Sequence, residues 1–236
     1  MNLKHQNQQT TQRQATTQLS TRAPTAKGFY VFHRADDQFG SAVTYSWFRN
    51  RTTKVAERTT ESFQELAMRC RTPEIRAKND GATFSPFTFR HRHFHEYDAR
   101  ECSFLAFKFE KVRGCTQAED ILACVGGLAS FLYSTHNHSV SEQPTGSYQL
   151  IVALRTPVPK QYFKVVAMNF ATRFCRLSGI IHPAYASWDQ RIQFPSCPSS
   201  LVGEFVAKSQ GGRAHDWLPD FLERQAPKSS ESWGMQ

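Results

Sequence analysis

From Leu105 to Val112 apolar and polar residues alternate, LAFKFEKV, which predicts a strand with Phe107 and Phe109 on one face and Lys108 and Glu110 on the other. CSFLAFKFE extends that strand backwards, YQLIVAL predicts a buried one, and GFYVFHRA and RHRHFHEY predict two more. Helical spacing governs TTESFQELAMRC, where Phe63, Leu66, Ala67 and Cys70 share an inner face and Thr or Ser stands near the start. AEDILACVGGLASFL predicts a helix with acids in its first turn, and PKQYFKVVAMNFATRFCRL one opened by a proline. RTPEIRAKNDGATFSPFTF predicts a loop with turn chemistry at Asn79, Asp80 and Gly81, and RIQFPS a short last strand. Strands and helices interleave without an internal repeat, so the fold class is α/β (α+β).

Composition changes this picture at the ends and in the choice of partner. The chain has 236 residues, 39% hydrophobic, with 19 Phe, enough for one sizeable core. Residues 1–27 are rich in Gln and Thr and contain no acid, which predicts a disordered basic tail; 28–224 form the domain, and 225–236 read as a second tail. A net charge of +9 favours a polyanionic partner, nucleic acid before a membrane surface. No apolar run reaches the roughly 18 to 20 residues that cross a bilayer, so no membrane partner is expected. Six cysteines without a CxxC pair or a signal peptide predict reduced thiols in a cytoplasmic protein, and their spacing does not suit a zinc finger.

Three stretches carry candidate chemistry. Lys108 and Glu110 form either a solvated pair on a half-buried strand or the remnant of a paired-carboxylate metal site. YSTHNHS, expected just after a helix ending near Leu132, offers Ser134, Thr135, His136 and His138; hydroxyls and imidazoles together hold phosphate oxygens or metal, or simply make a polar turn. RHRHFHE places His91, His93 and His95 on one predicted strand face, and His93 and His95 have the His-hydrophobic-His form of rolling-circle nicking endonucleases.

In their order, the helix SFQELAMRC, the stretch TPEIRAKNDGATFSPFTF, the strand CSFLAFKFE, the turn YSTHNHS, LIVALRTPVPKQYF, SWDQRIQFPSCP and GGRAHDWLPDFL resemble the primase-polymerase domain of plasmid and phage proteins in the archaeo-eukaryotic primase superfamily. The resemblance spans roughly Phe29 to Leu222. It implies a primase-like, two-lobed fold with an RRM-like central β-sheet flanked by helices, carrying Lys108 and Glu110 at its centre. In that family two Asp on one strand hold Mg²⁺ or Mn²⁺ that bridges nucleotide phosphates and the attacking hydroxyl. Lys108 and Glu110 stand at those two positions, His182 at the third carboxylate, and Gln149 where an Arg is usual. Glu110 is the one metal ligand left. The resemblance further implies nucleotide binding by Ser134, Thr135, His136, His138 and Arg191.

Three functions follow as expectations. One is a DNA primase or DNA-directed polymerase (a nucleotidyltransferase) of plasmid or phage replication, acting on single-stranded DNA or a primer-template, with transfer weakened or lost at Lys108 and His182. Another is a non-catalytic initiator or accessory DNA-binding protein that needs no cofactor. The last is a nicking endonuclease using His93, His95 and, as nucleophile, Tyr162. Unwinding in any of them would fall to a separate helicase.

Overall fold

The computed structural model describes residues 41–112, 118–136, 146–174 and 183–225. The GFYVFHRA strand, both predicted tails apart from Gln225, His138 and His182 lie outside the described residues. The centre of the molecule is the succession β6 (Ala99–Val112), α2 (Ala118–Cys124), β7 (Ser130–Ser134), β8 (Gly146–Pro159) and α3 (Lys160–Phe174). With β5 (Phe87–Phe89) and β11 (Ala207–Gln210) these strands form a five-stranded antiparallel sheet in the order β11-β7-β8-β6-β5. Such a βαββα run, with its first and third strands side by side in the middle, is a split βαβ arrangement. The fold is mixed α/β with antiparallel sheets, as the periodicity predicts.

Alternation along β6 sorts its side chains between two cores. Leu105, Phe107 and Phe109 join Leu132, Leu150 and Val152 beneath α2 and α3, where Phe107 stacks on Phe170 with ring centroids 5.3 Å apart. Each fully buried phenylalanine there contributes about 2–3 kcal/mol. Phe104 and Ala106 face the opposite way, with Phe131, Tyr133, Ile151 and Ala153. That face is covered by a second sheet, β2-β1-β4-β9, made of β1 (Ala42–Phe48), β2 (Glu57–Ser62), β4 (Thr83–Ser85) and β9 (Ile192–Gln193), and by α1 (Phe63–Arg69). A parallel pair, β3 (Glu74–Ile75) with β10 (Ser196–Cys197), lies beside it, and α4 (Trp217–Gln225) closes the described chain.

Several sequence expectations need correction. The first helix begins at Phe63 rather than Thr59, because Thr59, Thr60 and Glu61 pair with Tyr45, Thr44 and Val43. Ser62 caps it: its hydroxyl accepts from the Glu65 N–H, and the Glu65 carboxylate accepts from the Ser62 N–H at 2.7 Å. The helix expected to run to Leu132 stops at Cys124. Gly127 turns the chain at φ 78° and residues 130–134 become β7, so the His-bearing turn follows a strand. RHRHFHEY is a turn and a 3₁₀ segment over Glu96–Asp98, with Arg92 at φ 58°, and so His91, His93 and His95 do not share a strand face. Nor is RIQFPS the last strand, since β11 follows it. The loop expected over 71–89 contains β3, β4 and β5.

Candidate functional site

Past Ala106 the second sheet no longer covers β6, and the next two residues on that face are Lys108 and Glu110. Lys108 lies opposite Gln149, which lies opposite Tyr133, so these three form one row across the central sheet. The row floors a cavity of about 390 Å³ whose walls include Arg51, Asn79, Thr83, Thr135, His136, Ser147, Arg191, Gln193 and Ser196. Residues from six separate stretches of chain converge here.

Charge in the cavity is lopsided. Among the described residues, Lys108, Arg51 and Arg191 line it against a single carboxylate, Glu110, and the Lys108 ammonium forms an ion pair with that carboxylate. Both side chains are about two-fifths exposed (42% and 39%), so the pair itself contributes at most about 1 kcal/mol. Its chemical effect is larger than its energetic one. An ammonium beside the one carboxylate occupies the space and the charge that a hard divalent cation needs.

Arg191 is built in rather than draped over the surface. Its guanidinium lies between the Phe48 and Phe94 rings, 4.3 and 3.9 Å from their centroids, and donates to the Arg51 carbonyl at 2.7 Å. Burial lowers its pKa, because the charged form gives up water, though an arginine stays protonated at any working pH. The wall opposite is equally fixed. His136 is 7% exposed and its Nδ1 is 3.0 Å from the Ser196 hydroxyl, while the Thr135 hydroxyl donates to Ser147 Oγ at 2.8 Å. Tyr133 donates to the Gln193 carbonyl at 2.7 Å, and burial pushes its phenol well above the ordinary value.

Among the described residues, four buried polar atoms with no hydrogen-bond partner belong to residues of this cavity: Thr83 Oγ1, Gln149 Nε2, Arg191 Nε and Gln193 Nε2. A buried polar group left unsatisfied costs roughly 1–3 kcal/mol, a cost that an ordered water or a ligand group relieves.

The structure thus brings together Lys108, Glu110, Thr135, His136, Gln149 and Arg191. Ser134 is not among the lining residues: it ends β7 on the alternate face, and its hydroxyl accepts from the Val206 N–H at 3.0 Å. His93, His95 and Tyr162 also lie away from the cavity. His93 bridges Val55 in an isolated β-contact, His95 Nδ1 accepts from the Tyr97 N–H at 3.3 Å, and the Tyr162 ring rests against Phe221 of α4 at 4.9 Å. Arg51, Asn79, Thr83 and Gln193 enter without any sequence motif; only the Asn-Asp-Gly turn and the RIQFPS strand signalled two of the segments that deliver them.

No family model and no curated protein matches the chain. Among solved structures it is similar to the AEP domain of the cyanophage S-2L primase-polymerase (PrimPol), at 12% identity and a TM-score of 0.43, over 78% of this chain and 89% of that one. At that identity no side-chain role transfers. The divalent-metal site expected from the family resemblance must therefore stand or fall on this chain's own donors. Among the described residues no group of three His, Cys, Asp or Glu is placed to hold a metal ion, and the lone cavity carboxylate is already engaged by Lys108. These residues do not fit Mg²⁺ or Mn²⁺. Among the described residues no helix is long and apolar enough to cross a membrane.

Proposed function

We propose that this chain is a primase-polymerase-like, two-lobed nucleic-acid-binding protein of plasmid or phage DNA replication. Its cavity holds a phosphate-bearing ligand, a nucleoside triphosphate or the end of a DNA strand, without metal-dependent nucleotidyl transfer. One observation carries this reading: Lys108, paired with the only carboxylate among the described lining residues, floors a cavity walled by Arg51, Arg191 and His136. Lys108, Arg51 and Arg191 supply the charge that a divalent ion supplies elsewhere, with Arg191 held in place between Phe48 and Phe94. An ammonium attracts phosphate oxygens, but it cannot lower the pKa of a hydroxyl by coordination, so binding persists where transfer does not.

Nucleoside triphosphate titration in EDTA tests this. Binding is expected without a divalent ion and should change less than about twofold when Mg²⁺ is added. Lys108→Ala should weaken it by roughly 1.5–3 kcal/mol, the worth of a hydrogen bond to a charged group. Binding that needs Mg²⁺, together with primer extension by the wild-type protein, would overturn the proposal.

A further inference from the structure

Two loops lie side by side, and one of them reaches the cavity wall at Arg51. The first follows β1 and carries Arg49, Arg51 and Lys54; the second follows β5 and carries Arg90, His91, Arg92, His93 and His95. All eight of these side chains are exposed. The loops are stitched together through their backbones: Ala56 N–H donates to the Arg92 carbonyl at 2.7 Å, Phe94 N–H donates to the Lys54 carbonyl at 2.8 Å, and Val55 bridges His93.

Neither loop is left to find its shape on binding. Asn50 accepts from the Thr52 and Thr53 N–H groups at 3.0 and 2.8 Å, an Asx turn that sets the first loop. In the second, Arg92 sits at φ 58°, and it is the only non-glycine residue at positive φ among the described residues. An arginine there costs backbone strain, and strain of this kind collects where a side chain must be aimed.

The chemistry of the paired loops is mainly cationic with an aromatic end: the one acid within 90–97, Glu96, is paired with Lys160, and His91 lies 4.0 Å from Asp98. Among the described residues, no ion-pair partner is found for Arg49, Arg51, Lys54, Arg90 or Arg92, whereas Arg69, Arg76, Arg155, Lys160 and Lys208 each meet a carboxylate. At the far end Tyr97 is 85% exposed and stacks on His95, with ring centroids 5.2 Å apart and planes 28° from parallel. At the near end Arg51 both lines the cavity and receives Arg191 on its carbonyl. Free cations in a row, ending in a bare aromatic platform, suit a flexible polyanion with exposed π faces.

We propose that the paired loops 49–55 and 90–97 form a track for single-stranded DNA, with Arg49, Lys54, Arg90 and Arg92 on its phosphates, a base stacked on Tyr97, and the strand led past Arg51 into the cavity. The track deepens the proposed function and rests on it only for its destination. Duplex DNA lacks the unstacked base that Tyr97 takes, so the track discriminates between the two forms.

The experiment measures the salt dependence of binding to a fluorescent thymidine 20-mer. Lys54→Ala, Arg90→Ala and Arg92→Gly are combined, since glycine suits the left-handed backbone at 92 and removes the charge without strain. Losing three phosphate contacts at about 0.7 each should lower the slope of log K against log salt by about 2. Arg92→Gly alone should lower it by about 0.7 with thermal stability unchanged or raised, which keeps the test sound if the triple variant folds poorly. Tyr97→Ala should weaken the 20-mer roughly 5- to 100-fold and leave a 20-bp duplex within about twofold. Nucleoside triphosphate binding should persist in all of these variants. An unchanged slope in both Arg92→Gly and the triple variant, equal losses on single strand and duplex, or no binding of the 20-mer by the wild-type protein would each overturn the track. If the variants lose the 20-mer while the wild-type cavity binds no nucleotide, the track stands and the proposed function of the cavity fails.

Discussion

Replacing Lys108 by Asp would place two carboxylates on one face of β6, two residues and about 7 Å apart by strand geometry. At that distance two like charges repel by ~2.4 kcal/mol at an effective dielectric constant of 20, and by ~0.6 kcal/mol in water. Lys108 and Glu110 are 42% and 39% exposed, so a value near 1 kcal/mol is appropriate, with up to about 1 kcal/mol more for the lost ion pair. The variant should lose about 1–2 kcal/mol in EDTA, a fall in Tm of roughly 2–6 °C for a chain of this size. A divalent ion that bridges the new pair should reverse it: at a concentration 100 times Kd, binding to the folded state alone returns about 2.7 kcal/mol. Thermal unfolding of wild type, Lys108→Ala and Lys108→Asp across a Mg²⁺ and Mn²⁺ titration reads this directly. Only the Asp variant should respond, and adding His182→Asp should strengthen the response. If Lys108→Asp melts identically with and without the ions, the cavity does not have the geometry of a blocked metal site. If wild type is stabilised by Mn²⁺ and Glu110→Ala abolishes that gain, the ammonium is no obstacle and the reasoning about its charge is wrong.

Three further outcomes are expected. His136→Ala should weaken triphosphate binding in EDTA by roughly 1–3 kcal/mol, and combining it with His138→Ala should weaken it further; equal affinity in wild type and the double variant would return both histidines to a plain polar turn. Gly212→Ala should destabilise the fold by ~2 kcal/mol or more, read by urea unfolding, because a Cβ there falls 2.5 Å from the Gly127 carbonyl oxygen and φ is 148°; a neutral result would mean that the 127–128 turn shifts freely. Deleting residues 1–27 removes Lys4, Arg13, Arg22 and Lys27 and should lower the salt slope of DNA binding; an unchanged slope would show that these charges make no phosphate contacts.

What could be read from the sequence was whatever depends on local period. The alternation in LAFKFEKV sent Lys108 and Glu110 to one face and Phe107 and Phe109 to the other, and the helical spacing of Phe63 and Leu66 gave α1 its buried face. Local period failed where two readings share one pattern. ACVGGLASFL is apolar enough for a buried helix or a buried strand, and the Gly126-Gly127 pair lies between the end of α2 and the start of β7. RHRHFHEY alternates like a strand, yet Arg92 at positive φ folds it back onto Lys54 and Ala56, a long-range pairing that no window of that length contains. Ser134 was a different kind of miss: once 130–134 is a strand, period 2 takes its hydroxyl away from the face of Tyr133. Arg51, Asn79, Thr83 and Gln193 could not be found by pattern, because each is an ordinary polar residue that becomes part of a site only when distant segments meet.

The unsatisfied atoms and the lysine are two consequences of one arrangement. A cavity meant to stay closed would be expected to pair Gln149 with its neighbours or to carry an apolar residue there, since a buried amide without a partner costs stability and does not help packing. Here Gln149 stands in the same row as Lys108, and Gln193, Thr83 and Arg191 of the same cavity also carry buried atoms without a partner among the described residues. Three cations against one carboxylate among the described lining residues favour a negatively charged occupant. A site built to hold a cation would show the reverse, acceptors facing inward around clustered carboxylates. Lys108 is therefore matched in sign by Arg51 and Arg191 beside it. A cavity complementary to an anion, as proposed above, accounts for that match in sign.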